Sequence, residues 1–356
     1  MTTPYTHLPA RSFWSPAVGQ RDALAISDLW TPKWPVAKTD LVATFGSCFA
    51  QHFGKALASR RYAWTNFEPP IPGLSLDTIA KFNLNVFSAR TGNIYTVAIL
   101  EQWLDWATGG AMPPDEVWQK DGRFYDPFRP AIEPDGFESA TEMVASRQIT
   151  LRAFAEAISK SDLFVFTLGL TESWRNVTEG FEYPMCPGTV AGEFDATHHQ
   201  FVNQTYPAIR AALERAVAKM HAINPDLRIL LTVSPVPLTA TATDDHVLVA
   251  TTYSKSTLRA VAGDVASGNA RVDYFPSYEI VTAPAFAGQF FAANKRSVLD
   301  VGVDHVMKTF FAGQAASYGE APEPTPIAAK KTADDDEDDD DLVCEEALLN
   351  AFAPRE

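Results

Sequence analysis

The sequence predicts an α/β fold, a three-layer α/β/α sandwich around a mostly parallel sheet. Short apolar runs alternate with longer segments of helical periodicity, which is typical of strands joined by crossover helices. The runs are almost continuously apolar, as expected for strands covered on both faces. The chain has 356 residues, of which 46% are hydrophobic, so it can bury the core of one large domain or two ordinary ones.

The predicted sheet has four buried strands, at residues 41–45, 163–170, 228–236 and 271–281. The first three are apolar runs bounded by turn-forming or polar residues. The fourth has an irregular end, because a proline interrupts it. A β-hairpin is also predicted at residues 117–128, where Lys-Asp-Gly has the chemistry of a tight turn.

Helical periodicity fills most of the chain between these strands. The helix that starts near residue 206 should end at Asn224, which Pro225 follows. No internal repeat is found. The predicted helices cover residues 48–60, 78–89, 94–108, 140–161, 206–224, 248–266 and 300–313.

Beyond the predicted domain, residues 10–315, the composition changes. Residues 316–341 are a Pro/Ala linker that ends in "DDDEDDDD", a run that repels itself and predicts a disordered acidic tail. Residues 342–356 have an apolar stripe and predict a short C-terminal helix. That helix could be a docking peptide for a protein partner or could pack back on the body; the alternative is a solubilising tail.

The composition excludes several functional classes. Residues 318–356 carry 13 acidic and 3 basic side chains, so most of the formal net charge of -15 belongs to the tail. The remaining body has no basic stripe, which argues against nucleic acid as a partner. No apolar run reaches the roughly 18 residues of a membrane span. The N-terminus lacks the features of a signal peptide.

The cysteines and histidines indicate neither disulfides nor a metal site. Three widely spaced cysteines, Cys48, Cys186 and Cys344, suit a reducing compartment, so we expect a cytoplasmic protein. No Cys/His spacing is typical of zinc, and neither a metal nor a cofactor is expected.

In a parallel sheet of this kind, the ligand lies beyond the carboxyl ends of the strands. At the first strand end, Gly46 permits a sharp turn into a helix. The N–H groups at the start of that helix lower the pKa of a nearby thiol, so Cys48 could act as a nucleophile at neutral pH. Ser47 would need a dedicated base. The alternative is purely structural, with Ser47 as the helix N-cap and Cys48 as a small buried residue.

Several segments follow one another along the chain: "FGSCFA" (45–50), "SARTGNIYT" (88–96), "TLGLTESW" (167–174), "CPGT" (186–189), "TVSPVP" (232–237), "YSKSTLR" (253–259) and "YFPSYEI" (274–280). Together they resemble the GSCFA family, over roughly residues 10 to 315. That family looks like a branch of the SGNH hydrolases, which have a flavodoxin-like α/β/α fold. Its relatives act as esterases, lipases, carbohydrate acyl hydrolases or acyltransferases.

The resemblance implies roles for particular residues. Cys48 takes the place of the SGNH nucleophile, and Ser47 takes that of the preceding aspartate. Gly92, with Asn93 beside it, matches the glycine whose N–H group contributes to the oxyanion hole. Thr171 replaces the asparagine of the third SGNH block, where its hydroxyl could still donate to an oxyanion. Glu172 follows it at the same strand end.

The last SGNH block is missing. It contains an aspartate and a histidine three residues apart, but Asn294 and Ser297 occupy these places. Two other histidines are therefore candidates for moving the proton. His52 lies one helical turn after Cys48, and His246 lies in the loop after the third predicted strand. The alternative for His52 is a histidine on the helix surface or in the core, and the alternative for His246 is a polar residue at a helix N-terminus.

The sequence therefore predicts an SGNH-like acyl-transfer enzyme, either an esterase or acyl hydrolase or an O-acyltransferase, acting on a small-molecule or carbohydrate ester. A transferase of surface polysaccharide is one version of this hypothesis. The alternative is a catalytically degenerate SGNH scaffold that serves as a binding or accessory protein, because the Asp–His pair is missing. In that case the acidic tail would contact a protein partner.

Overall fold

The computed structural model describes residues 3–319 and 345–354. It contains two compact units. The smaller unit consists of Met1–Val36 and Phe275–Asp339, and the larger of Ala37–Tyr274 and Asp340–Glu356. The predicted domain, residues 10–315, contributes to both units and stays a prediction. The predicted acidic run lies outside the described residues.

The larger unit alternates strands and helices along most of its length. Its C-terminal residues Glu345–Phe352 form a 3₁₀ helix. In chain order the other elements are β1 (Val42–Gly46), α1 (Ala50–Ser59), α2 (Leu76–Lys81), α3 (Val97–Thr108), β2 (Trp118–Lys120), β3 (Arg123–Tyr125), α4 (Ala140–Lys160), β4 (Leu163–Leu168), β5 (Glu172–Asn176), β6 (Glu182–Tyr183), β7 (His199–Asn203), α5 (Tyr206–Ile223), β8 (Arg228–Val233), α6 (Val247–Gly268) and β9 (Val272–Tyr274).

The centre of the larger unit is a four-stranded parallel sheet in the order β1-β4-β8-β9. Helix α1 packs on β1, and α6 packs on β8 and β9. Phe154 of α4 lies edge-on to Phe45 of β1, with 4.9 Å between ring centroids, and Phe164 of β4 stacks on Phe45 at 5.2 Å. These rings are fully buried. The predicted α/β fold, a parallel sheet flanked by helices, is confirmed.

Two smaller sheets accompany the central one. The predicted hairpin is present as β2 and β3, and Asp121 and Gly122 form its turn with φ of 50° and 76°. Strands β6, β5 and β7 form an antiparallel sheet that the sequence did not predict. Its strands are short and contain polar residues, so they lack the apolar runs that mark the central strands.

Two predicted elements end at least seven residues earlier in the structure. The helix predicted at residues 78–89 stops at Lys81, because Asn83 and Asn85 adopt positive φ of 52° and 64°. The strand predicted at residues 271–281 ends at Tyr274. Pro276 precedes a helix there, as prolines at helix starts commonly do.

The smaller unit contains helices α7 (Ser277–Thr282) and α8 (Asp300–Tyr318) and short 3₁₀ and π segments near the N-terminus. Trp30 stacks on Phe310 of α8 at 5.2 Å and lies edge-on to Phe275 at 5.1 Å. The backbone N–H of Val36 donates to Gln314 Oε1 over 3.0 Å. Aromatic packing therefore fixes the N-terminal segment against α8.

The smaller unit should lose stability in mild acid through His305. This ring of α8 lies against Phe286 and Phe290, and burial lowers its pKa below 6.5, helped by the charge of Lys308. A lowered folded-state pKa means that the unfolded chain binds the proton more tightly. Stability is then complete above pH 6.5 and falls as the pH drops below it. Urea unfolding between pH 8 and pH 5 should show this fall, and a His305→Phe variant should show less of it; equal slopes would contradict the prediction.

Candidate functional site

The carboxyl end of β1 forms a turn that only glycine can start. Gly46 has φ of 127°, and a side chain there would meet the backbone of Thr167 on β4. The N–H of Ser47 then donates to Thr167 O over 3.0 Å. Two turn hydrogen bonds, from Ala50 N to Ser47 O and from Gln51 N to Cys48 O, lead directly into α1.

Ser47 and Cys48 both lie inside this turn. Phe49 is the N-cap of α1, so the alternative role of Ser47 as that cap is wrong. Ser47 Oγ is buried and makes no hydrogen bond within residues 3–319 and 345–354. Cys48 is 4% exposed. The thiol therefore lies just before the first turn of a helix, where the helix dipole favours its anion.

Two further loops meet this turn. The segment around Gly92 runs past the end of β1, where Ile94 N donates to Gly46 O over 2.9 Å. Tyr95 O accepts hydrogen bonds from the N–H groups of Gly169 and Leu170, at 3.1 Å and 2.9 Å. Three of the motif segments thus converge at the carboxyl ends of β1 and β4, as the strand-end rule predicts.

Gly92 and Asn93 are buried, and a C-terminal side chain lies over them. Gly92 has φ of 65°, and a Cβ atom built on it would lie 3.1 Å from Glu345 Oε1. Asn93 Nδ2 donates to Glu345 Oε2 through a long hydrogen bond of 3.5 Å. A carboxylate therefore occupies the surface that these two residues form.

Thr171 is buried and its polar groups have partners within the protein. Its hydroxyl donates to Asn203 Oδ1 over 2.7 Å, and its N–H donates to Ser254 Oγ over 3.1 Å. Its role as an oxyanion donor stays a prediction, and it would require the hydroxyl to leave Asn203. Glu172 is half-buried, and burial raises the pKa of its carboxyl even though Thr241 donates to Oε1.

Helix α6 contributes a buried lysine that the sequence-based interpretation did not place in the site. Lys255 is 1% exposed, and its Nζ donates to Gly169 O over 2.7 Å. With the neighbouring Ser254, it fixes the loop between β4 and β5 from the α6 side. The available signal was the segment "YSKSTLR", where an apolar helix face contains a lysine.

A buried ion cluster of Asp126, Arg129 and Arg147 contacts the Gly92 loop through Arg129. Asp126 Oδ2 accepts from Arg129 Nε at 2.8 Å and from Arg147 Nε at 3.1 Å. Arg129 Nη1 also donates to the carbonyl of Arg90, two residues before Gly92, over 3.2 Å. The carboxylate thus orients an arginine that orients the loop.

The two candidate histidines belong to different helices, α1 and α6. His52 is partly buried on α1, with its ring edge-on to Phe49 at 5.4 Å. His246 is exposed and caps α6, where its Nδ1 accepts from Leu248 N at 3.1 Å. The cap accounts for His246 without a catalytic role, and the proton-transfer role of either ring stays a prediction.

The residues at the SGNH Asp and His places lie in the smaller unit. Asn294 Nδ2 donates to Ser297 Oγ over 3.0 Å, and Asn294 Oδ1 accepts from the backbone N–H groups of Arg296 and Ser297. These bonds form a local turn, as asparagine side chains commonly do. Neither side chain has the chemistry of a general base.

A small pocket of about 150 Å³ adjoins the β4 strand end. Its lining includes Leu170, Glu172 and Cys186, together with Glu346 and Leu349 of the C-terminal 3₁₀ helix. Burial raises the pKa of the Cys186 thiol to about 11, so this cysteine is protonated at neutral pH. Cys186 is therefore a weak nucleophile at neutral pH.

The family follows from a comparison with known families. The model of the GSCFA family matches residues 41–310. The chain belongs to the GSCFA family. No curated protein matches the chain. No solved structure matches it either.

In this GSCFA protein, the residues that the structure describes contain neither a candidate metal cluster nor a candidate membrane-spanning helix. In residues 3–319 and 345–354, no three His, Cys, Asp or Glu side chains lie together so that they could hold a metal ion. Over the same residues, no helix is both long and apolar enough to cross a membrane.

Proposed function

We propose that this GSCFA protein is an acyl-transfer enzyme, a hydrolase or an O-acyltransferase of esters, with Cys48 as nucleophile. One observation carries the proposal: the Cys48 turn, the Gly92 loop and the Gly169–Thr171 loop are hydrogen-bonded to one another at the ends of β1 and β4. Acyl transfer requires a nucleophile beside loops that can bring donors to the oxyanion, and Gly92 and Asn93 lie in one of the loops that meet this turn.

The proposed chemistry has two steps. The Cys48 thiol gives its proton to a base, and the thiolate attacks the ester carbonyl. Donors around Gly92 and Asn93 stabilise the oxyanion, and the alcohol leaves with a proton, so that a thioester remains on Cys48. Water or an acceptor hydroxyl then attacks the thioester and restores the thiol. His52 or His246 would move the proton in this scheme.

Substitution of Cys48 tests the proposal. We expect Cys48→Ala to lower the rate of aryl acetate or acetylated sugar cleavage by at least about a hundredfold, and Cys48→Ser to retain part of it. Cys186→Ala is the matched control, because burial keeps the thiol of Cys186 protonated. Wild-type turnover in Cys48→Ala would reject Cys48 as the nucleophile.

The second candidate is a binding or accessory protein on a degenerate SGNH scaffold. The bonded Asn294–Ser297 pair, which replaces the usual Asp and His, favours it. Such a protein would bind esters or sugars in a thermal-shift screen without turning them over. Catalytic turnover that Cys48→Ala removes would reject it.

A further inference from the structure

Two adjacent carboxylates from the C-terminal 3₁₀ helix are buried in the strand-end site. Glu345 is 3% exposed and Glu346 is 7% exposed. Glutamates are almost never this buried unless the carboxylate is paired or hydrogen-bonded, because removing a charged group from water is costly. The site must therefore supply compensating contacts to both side chains.

The contacts of Glu346 come from two of the loops at the strand ends. Its Oε1 accepts from Thr239 N at 2.6 Å, in the loop that follows β8. Its own N–H donates to Tyr95 Oη over 3.2 Å. A short hydrogen bond from a backbone N–H to a carboxylate is among the stronger kinds in proteins.

The glutamate before it contacts the surface assigned above to the oxyanion. The carboxylate of Glu345 lies against Gly92 and within 3.5 Å of Asn93 Nδ2. In the proposed chemistry, a negatively charged oxygen forms at this place. The Glu345 carboxylate thus occupies it with the same charge.

Leu349 adds an apolar contact to these polar ones. A 3₁₀ helix has three residues per turn, so Glu346 and Leu349 lie on one face, and both line the pocket beside β4. Burial decreases along the helix, since Leu348 is 46% exposed and Phe352 is 63% exposed. A segment held near its first residues, with its far end in solvent, is the kind of element that opens locally.

We propose that the strand-end site binds acidic peptides of the pattern Glu-Glu-x-x-Leu, and that residues 345–349 of this chain occupy it in cis. The peptide-binding site needs no catalytic activity. Its consequence rests on the proposed function: the segment blocks the Cys48 site until a substrate or a competing acidic peptide displaces it.

Peptide binding in trans tests the proposal. The probe is a fluorescein-labelled peptide with the sequence of residues 345–354, EEALLNAFAP. The double variant Glu345→Ala/Glu346→Ala of the full-length chain should bind it at least about tenfold more tightly than wild type, because a tethered competitor acts at roughly millimolar effective concentration. A peptide that begins with Gln-Gln should bind the double variant at least about tenfold more weakly.

The two neighbouring leucines provide a matched pair. Leu349→Ala removes the pocket contact and should also strengthen peptide binding, whereas Leu348→Ala changes an exposed side chain and should not. If the double variant does not fold by circular dichroism, this pair carries the test. Equal affinity across wild type, the double variant and Leu349→Ala, or no saturable binding to a folded variant, would overturn the proposal.

The enzymatic consequence is measured separately. Alkylation of Cys48 by iodoacetamide, located by peptide mapping, should be faster in the double variant than in wild type, and ester turnover should rise with it. If the peptide binds as expected but no chain cleaves aryl acetates or acetylated sugars, the acyl-transfer function fails and the peptide site stands. If turnover depends on Cys48 but the peptide does not bind, the function stands and the peptide site fails.

Discussion

Replacing Asp126 with alanine should lower the free energy of unfolding by roughly 3–5 kcal/mol. Asp126 is fully buried between Arg129 and Arg147, which lie 2.8 Å and 3.0 Å from its carboxylate oxygens. Removal of the carboxylate would leave two buried guanidinium groups without their counter-charge, and that is more costly than the loss of the pair itself. Urea unfolding of the full-length chain at pH 7, followed by circular dichroism, measures the effect.

The effect should depend on pH in one direction. Burial acts to raise the pKa of Asp126, but the charges and hydrogen bonds of Arg147 and Arg129 outweigh it and hold this pKa below 3.8. A carboxyl with a lowered folded-state pKa contributes its stability above the unfolded value and loses it as the pH falls through the folded value. The difference between wild type and Asp126→Ala should therefore be complete at neutral pH and shrink below pH 3.8.

Asp135→Ala is the matched control for Asp126→Ala. Asp135 also pairs with a cation, Lys81, at 2.7 Å, but both side chains are exposed. Exposed ion pairs contribute little, so this variant should unfold close to wild type. Equal stability of the two variants would mean that the buried ion cluster contributes no more to the free energy of unfolding than an exposed ion pair.

The sequence predicted best those elements whose signal is local. The strands β1, β4 and β8 are continuous apolar runs, and each run by itself indicates a buried parallel strand. Because the carboxyl ends of parallel strands share one edge, the convergence of the Gly46 and Gly169 loops also followed from the sequence. The hairpin of β2 and β3 followed from its turn residues alone.

The missed features depend on contacts between distant residues. The contact of Glu345 with Asn93 joins positions 252 residues apart. Hydrophobic periodicity is measured over short windows and carries no information about contacts at such separations. The apolar stripe predicted for residues 342–356 includes Leu348. The structure instead buries Glu345 and Glu346, whose carboxyl groups contact Asn93 and Thr239, and exposes Leu348.

The site residues show the same limit. The segment "YSKSTLR" shows the lysine but not its partner, because Lys255 Nζ donates to the buried carbonyl of Gly169 on another element. The expectation for Thr171 considered its chemistry and not the acceptor beside it, Asn203, which comes from the unpredicted strand β7. A motif identifies the residue types at a site, but the neighbouring elements decide which of their hydrogen bonds are already made.

Replacing Gly46 with alanine should prevent the turn at the end of β1 from forming as it does in the structure. Gly46 combines φ of 127° with a close neighbour, since a Cβ atom there would lie 2.7 Å from Thr167 N. Either the parallel pairing of β1 with β4 at this point separates or the turn changes its backbone conformation, and both displace Ser47 and Cys48. We expect a loss of stability of at least about 3 kcal/mol together with loss of any Cys48-dependent activity.

Gly268→Ala is the matched control for Gly46→Ala. Gly268 is the last residue of α6, and a Cβ atom there would meet nothing within 4 Å. Alanine should therefore be tolerated there or slightly stabilising, since it reduces the freedom of the unfolded chain. Thermal unfolding and Cys48 alkylation, measured on both variants, separate the two effects. A Gly46→Ala variant that unfolds with wild type and alkylates at the wild-type rate would show that the turn tolerates a side chain, and the proposed placement of Cys48 would then lose its structural basis.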